Sequence, residues 1–157
     1  MEKKTLTIPY EAYASIDELG AADRALLEAA IEALKGSYAP YSHFNVGAAV
    51  RLADGTVVKG ANQENAAYPS GLCAERTAMF YANANYPDVP FVALAIAGSD
   101  HGVLCESPAS PCGACRQVMA QYERLAGKPL RIILGSGGPI LAFTGVESLM
   151  PLIFNDL

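Results

Sequence analysis

No cluster of lysine or arginine occurs anywhere in this chain, and its formal net charge is −5. A polyphosphate partner calls for a basic stripe, so binding to nucleic acid is not expected. Charge of either sign is scarce: 17% of the residues are charged, against about 25% in an average domain. The longest fully apolar run, residues 91–97, is far short of the ~20 residues that span a bilayer. Four cysteines in 157 residues are too few for a disulfide scaffold. The lead-in, residues 1–9, has lysines but no hydrophobic region for export. These absences together point to a cytoplasmic protein with no membrane attachment. No internal repeat or low-complexity segment is present.

A chain of 157 residues reads as one domain over residues 1–157, large enough to bury a real core. Residues 1–15 form a lead-in with no interpretable motif. With 52% apolar residues and little charge, part of the surface is expected to lie against copies of the same chain.

Apolar residues at Leu19, Leu26, Leu27, Ala30, Ile31 and Leu34 make one face at helical spacing. Asp17 or Ser15 would cap that helix, which would run to about Lys35 before Gly36. An aromatic loop with Pro40 follows. Residues 46–52 and 56–60 flank Ala53-Asp54-Gly55, a strong hairpin signal. A second helix is expected from about Leu72 to Ala84. The apolar run 91–97 predicts a strand covered on both faces. Ser110-Pro111 has the form of an N-cap with proline in the first turn, and that helix would continue to Leu125 before Gly127. Strands over 130–134 and 140–143 would follow, with Thr144 capping a brief helix over 146–149. Such alternation predicts an α/β fold, a three-layer α/β/α sandwich around a mixed five-stranded sheet.

The chain is organised around Cys73-Ala74-Glu75-Arg76, answered by Pro111-Cys112-Gly113-Ala114-Cys115. Three thiols can supply three ligands to Zn²⁺ and leave the fourth tetrahedral position open. The 38 residues between Cys73 and Cys112 are too many for a finger-type knuckle. The ligands must converge from two helix starts, whose positive ends favour thiolates. Cys73 and Glu75 are two apart, and on a regular helix they would diverge. They can meet only if Cys73 sits at the helix entrance, where Pro69-Ser70-Gly71 places it. Zinc would then lower the pKa of its water, and Glu75 would act as acid and base. Arg76 would offset the negative charge of three thiolates, although a solvent-facing charge is an equal alternative. His43 and His101 are open as a fourth ligand, while lone histidines are more often surface or core residues. Cys105 reads as a half-buried small hydrophobe.

By these motifs the chain resembles the small, homo-oligomeric cytidine deaminases. The resemblance extends to Pro40-Tyr41-Ser42-His43-Phe44-Asn45-Val46-Gly47-Ala48-Ala49 and to Asn62-Gln63-Glu64-Asn65-Ala66, and it continues through Arg116-Gln117. It implies zinc ligation by Cys73, Cys112 and Cys115, and proton transfer by Glu75. It implies that Asn62 and Glu64 hydrogen-bond ribose hydroxyls, and that Phe44 stacks on the pyrimidine. Ala66 and the Cys73-Ala74 backbone would meet the base edge. The expected activity is hydrolytic deamination of cytidine and deoxycytidine in pyrimidine salvage. The resemblance further implies a homotetramer with shared sites, in which Phe154 reaches an adjacent site. Three segments depart from the family: the lead-in over residues 1–15, the glycine-rich Gly135-Ser136-Gly137-Gly138-Pro139, and the compressed tail after Pro151.

Other readings use fewer of these residues. A deaminase of a cytosine-containing antibiotic would not need both Asn62 and Glu64. A polynucleotide deaminase would want a basic groove. A structural zinc module leaves Glu75 idle, and a thiol-disulfide protein using Cys112 and Cys115 leaves Cys73 unexplained.

Overall fold

Side-chain alternation along the strands decides which of two helical layers each residue meets. The clearest case is β4 (Phe91–Asp100) in the computed structural model, which describes residues 1–154. Ala93, Ala95 and Ala97 face one layer, while Leu94 and Ile96 face the other. The first layer is α1 (Ala21–Ala33), which buries Leu26, Leu27 and Ala30 against that row of alanines. The second layer holds α2 (Ala74–Asn85) and α3 (Gly113–Ala126), packed on Val50, Leu52, Ile132 and Leu134. The expected three-layer α/β/α sandwich is therefore present. Among the described residues no helix is long and apolar enough to cross a membrane.

The sheet also contains β1 (Glu11–Tyr13), β2 (Phe44–Leu52), β3 (Val57–Ala61), β5 (Val103–Leu104), β6 (Arg131–Gly135) and β7 (Ile140–Thr144). Its order is β1-β7-β6-β4-β2-β3, with β5 paired to β4. Strands β4 and β6 run parallel, joined through α3, and the other pairs are antiparallel. The expected hairpin is β2–β3: Gly55 takes φ 91° and the Asp54 carboxylate accepts the Thr56 N–H at 2.9 Å.

Among the described residues the sheet has seven strands, not the five expected. Strand β1 has only three residues, so it carries no readable alternation. Its partner β7 is distant in sequence, and Arg131 fixes it by binding Glu11 at 2.5 Å and Asp23 of α1 at 3.1 Å. Strand β5 has two residues after a tight turn in which His101 and Gly102 both have positive φ (46° and 81°). Neither strand is long enough to show a period.

Helix ends differ from expectation in the same local way. Residues 16–18 form a 3-10 turn and not the first turn of α1, because Leu19 and Gly20 are extended (ψ 145° and 151°). The Glu18 carboxylate accepts the Ala14 N–H there at 2.8 Å. The α3 cap is Cys112 and not Ser110, and Gly127 closes that helix at φ 64°. The brief helix expected over 146–149 is a 3-10 helix over Val146–Ser148, capped by Gly145 (φ 87°) and not by Thr144.

Two glycines set the depth at which helices sit on the sheet. A Cβ on Gly47 of β2 would come within 2.1 Å of the Ala30 carbonyl oxygen of α1. One on Gly60 of β3 would come within 2.4 Å of the Ala78 amide nitrogen of α2. Close backbone approach at Gly60 brings the start of α2 over the sheet edge, and the start of α2 carries Cys73.

Candidate active site

Cys73 is the N-cap of α2, with φ −70° and ψ 154°. Cys73 therefore precedes regular helical geometry, and both Cys73 and Glu75 line one cavity despite their spacing of two. Cys112 caps α3 in almost the same conformation, φ −68° and ψ 166°. Cys115 follows in the first turn of α3 and is fully buried. The three Sγ atoms lie within 4.8 Å of one another, and those of Cys73 and Cys112 are 3.7 Å apart. Ligands at ~2.3 Å on a tetrahedral zinc are separated by roughly 3.8 Å, so the thiols present the spacing that zinc needs. Among the described residues the cluster holds three thiols and no fourth donor, which leaves one coordination position for a small molecule.

Charge around the thiols is uneven. The Cys73 thiol is pushed down to about 5, chiefly by the Cys115 thiol donating to it, with help from Arg76. The same hydrogen bond, with burial and the nearby Glu75 charge, pushes the Cys115 thiol up. The pair thus shares a proton that a metal would displace. Arg76 holds Nη2 at 3.8 Å from Cys73 Sγ, so the predicted proximity of guanidinium and sulfur is present. Glu75 is 3% exposed, and burial raises its carboxyl above the usual range.

These groups form one end of a cavity of about 590 Å³, a size typical of small-molecule sites. Cys73, Glu75, Arg76 and Cys112 line that end. Phe44, Tyr41 and Tyr68 supply aromatic surface, and Asn62, Glu64 and Ser42 supply polar groups. Cys115 lies behind the wall.

The segment Asn62-Gln63-Glu64 is stitched on both sides. The Tyr38 N–H donates to the Asn62 carbonyl at 3.0 Å, and the Glu64 N–H to the Tyr38 carbonyl at 2.8 Å. Gln63 exchanges two backbone hydrogen bonds with Leu72, each 2.9 Å. The extended pairing directs Asn62 and Glu64 to the cavity. The Asn62 amide is largely committed within the protein. Its Oδ1 accepts the Val46 N–H at 2.8 Å and the Ser37 hydroxyl at 2.5 Å, while its Nδ2 donates to the Phe44 carbonyl at 2.9 Å. One amide proton remains for a ligand. The Ser42 hydroxyl and the Tyr41 N–H hold the Glu64 carboxyl below its ordinary range. Phe44 is 36% exposed, its ring lying over Gly98.

Three residues expected at the site do not reach this cavity. Ala66 is exposed and off the wall; Ala74 is fully buried where α2 meets β3. Phe154 is exposed outside the cavity, its carbonyl accepting the Gln117 amide at 2.7 Å. Neither histidine joins the thiols. His43 and His101 stack on one another with centroids 5.6 Å apart. Cys105 is half-buried and outside the cluster. Sequence reasoning missed Tyr41, Tyr68, Ser42 and Ser110 as wall residues. The first three stand in or beside motifs that were recognised, but nothing in the residue order says which way they point.

Comparison with known proteins agrees with this geometry. Residues 21–126 match the family model described as the cytidine and deoxycytidylate deaminase zinc-binding region. The chain is 44% identical over 132 residues to the cytidine deaminase of Halalkalibacterium halodurans, covering 83% of this chain and 92% of that relative. The crystal structure of cytidine deaminase from Burkholderia pseudomallei superposes with a TM-score of 0.70 at 42% identity, covering 83% of this chain and 97% of that one. That of cytidine deaminase from Mycobacterium tuberculosis gives 0.66 at 33% identity, with coverage of 84% and 96%.

Proposed function

The chain belongs to the cytidine deaminase family, and from that premise we propose how its residues deaminate cytidine and deoxycytidine. The observation that carries the proposal is the convergence of three thiols and a buried carboxyl on one end of a nucleoside-sized cavity. The cofactor is zinc, which Cys73, Cys112 and Cys115 would hold. When bound, it supplies a Lewis acid that brings the pKa of water toward neutrality. Arg76 offsets the negative charge of the thiolates by its contact with Cys73.

Glu75 moves the protons. Burial raises its carboxyl, so its carboxylate is a stronger base toward water, and the proton it gains can pass to the ring nitrogen and the departing amine. Water adds its oxygen to the amine-bearing ring carbon, the C–N bond breaks, and the amine leaves as ammonia with the protons from Glu75, giving uridine or deoxyuridine. Phe44 offers a ring face to the pyrimidine. The free amide proton of Asn62 and the carboxylate of Glu64 bind sugar hydroxyls. The buried carboxyl at Glu75 and the more exposed polar groups at Glu64 orient the base inward and the sugar outward.

Residues 1–157 act as one deaminase unit, a cytoplasmic enzyme of pyrimidine salvage. Exposed aromatic side chains at Tyr68, Phe80, Tyr81 and Phe154 support self-association, and a homotetramer would place Phe154 at a neighbouring site. Contacts of Ala66 and of the Ala74 backbone with the base would likewise require ligand-bound rearrangement or a second subunit.

The deciding experiment follows ultraviolet absorbance of cytidine with the zinc-loaded protein, with Glu75→Gln as control. Conversion to the uridine spectrum by the native protein alone supports the assignment. No conversion by a folded, zinc-loaded sample would sink it.

A further inference from the structure

Glu64 is more constrained than a surface carboxylate would be, and a residue without a role in the reaction above does the constraining. The inference therefore rests on the deaminase reading and deepens it. Glu64 Oε2 accepts two backbone donors from the loop before β2: the N–H of Tyr41 at 2.9 Å and of Ser42 at 3.3 Å. Glu64 Oε1 accepts the Ser42 hydroxyl in a short contact. Charge fixes the direction of that contact, because an ionised carboxylate only accepts. The Phe44 N–H donates to Ser42 Oγ at 3.1 Å, and the hydroxyl's single proton is directed to Glu64.

A carboxylate offers about four acceptor sites, and one loop fills three of Glu64's. The acceptor that remains is on Oε1. Ser42, Phe44 and Glu64 all line the cavity. One hydroxyl therefore links the carboxylate proposed for the sugar to the backbone of the ring proposed for the base.

We propose that Ser42 is a positioning residue that holds Glu64 at a set distance from Phe44 and leaves it one acceptor for a single sugar hydroxyl. The geometry also separates Ser42 from a residue that only shapes its loop. A loop-shaping role would affect every substrate alike, whereas a role through Glu64 matters only to substrates with a 2′- or 3′-hydroxyl on the sugar.

The test compares steady-state kinetics of the native enzyme, Ser42→Ala and Ser42→Thr on cytidine and on 2′,3′-dideoxycytidine. A hydrogen bond to a charged group predicts about a tenfold rise in KM for cytidine in Ser42→Ala, with kcat little changed. Ser42→Thr, which keeps the hydroxyl, restores KM. On the dideoxy substrate Ser42→Ala and the native enzyme agree. In a Glu64→Gln background, Ser42→Ala adds little further. Equal losses on both substrates, or a fall in kcat with KM unchanged, would overturn the proposal. Where alanine prevents folding, Ser42→Cys, near-isosteric with a weak donor, carries the same comparison. Native enzyme inactive on cytidine but active on another cytosine compound would overturn the substrate assignment first, and the Ser42 proposal with it.

Discussion

Cys73 and Cys112 cap two different helices, yet their sulfurs are 3.7 Å apart. Each takes extended backbone, and each helix directs its positive end to the shared point. The metal site is thus a junction between α2 and α3, and folding itself assembles it.

Replacing Cys112 by Ala should abolish zinc retention without unfolding the sheet, because Cys112 is exposed and packs little. Outer partners of metal ligands are already worth about 10–100-fold in affinity, so losing a ligand should cost more than about 100-fold. Metal analysis after dialysis, beside a circular dichroism spectrum, checks both parts.

Arg76→Gln should raise the Cys73 thiol in the zinc-free protein. The hydrogen bond from Cys115 is the larger reason that this thiol sits at about 5, and it survives the change. The expected result is a rise that stops short of an ordinary thiol, read from thiolate ultraviolet absorbance against pH. An unchanged titration would remove Arg76 from the charge balance of the site.

Gly60→Ala should weaken α2 docking, since its Cβ would lie 2.4 Å from backbone at Ala78 and 2.8 Å from the Ala74 carbonyl oxygen. Backbone cannot yield as a side-chain tip can. Overpacking of this type costs about 1–3 kcal/mol. Because Cys73 moves with α2, zinc affinity should fall together with the denaturation midpoint.

Acid should loosen β1 before the rest of the sheet. The Arg131 side chain holds the Glu11 carboxyl below its ordinary 4.5. A depressed carboxyl stabilises the fold above its unfolded value, and that contribution is lost as pH falls through the lower folded value. The native protein should therefore exceed Glu11→Gln in stability near neutrality, and the difference should close well below pH 4.5. Glu11 is half exposed, so the effect is small. Denaturant midpoints across that range decide it; a difference independent of pH would assign the contact to packing.

Local chemistry was legible in the residue order. Cys-x-Glu and Pro-Cys-x-x-Cys name donors and an acid whose spacing forces them to helix starts, and Asp54-Gly55 dictates a hairpin. Strands with several apolar residues declare themselves by their runs, and the α-helices were read correctly to within a few residues at most ends. Strand β1 could not be read, because three residues carry no period and its hold on the sheet comes from Arg131, more than a hundred residues away. The same reason hides the commitment of the Asn62 amide to β2 and the grip of Ser42 on Glu64. The sequence by itself determined the reactive groups and the order of elements, since both follow from residue type and short-range geometry. Only the tertiary structure decided which of the motif residues share a cavity. That depends on how deeply α1 and α2 settle on the sheet at Gly47 and Gly60, and on hydrogen bonds between segments that residue order alone does not bring together.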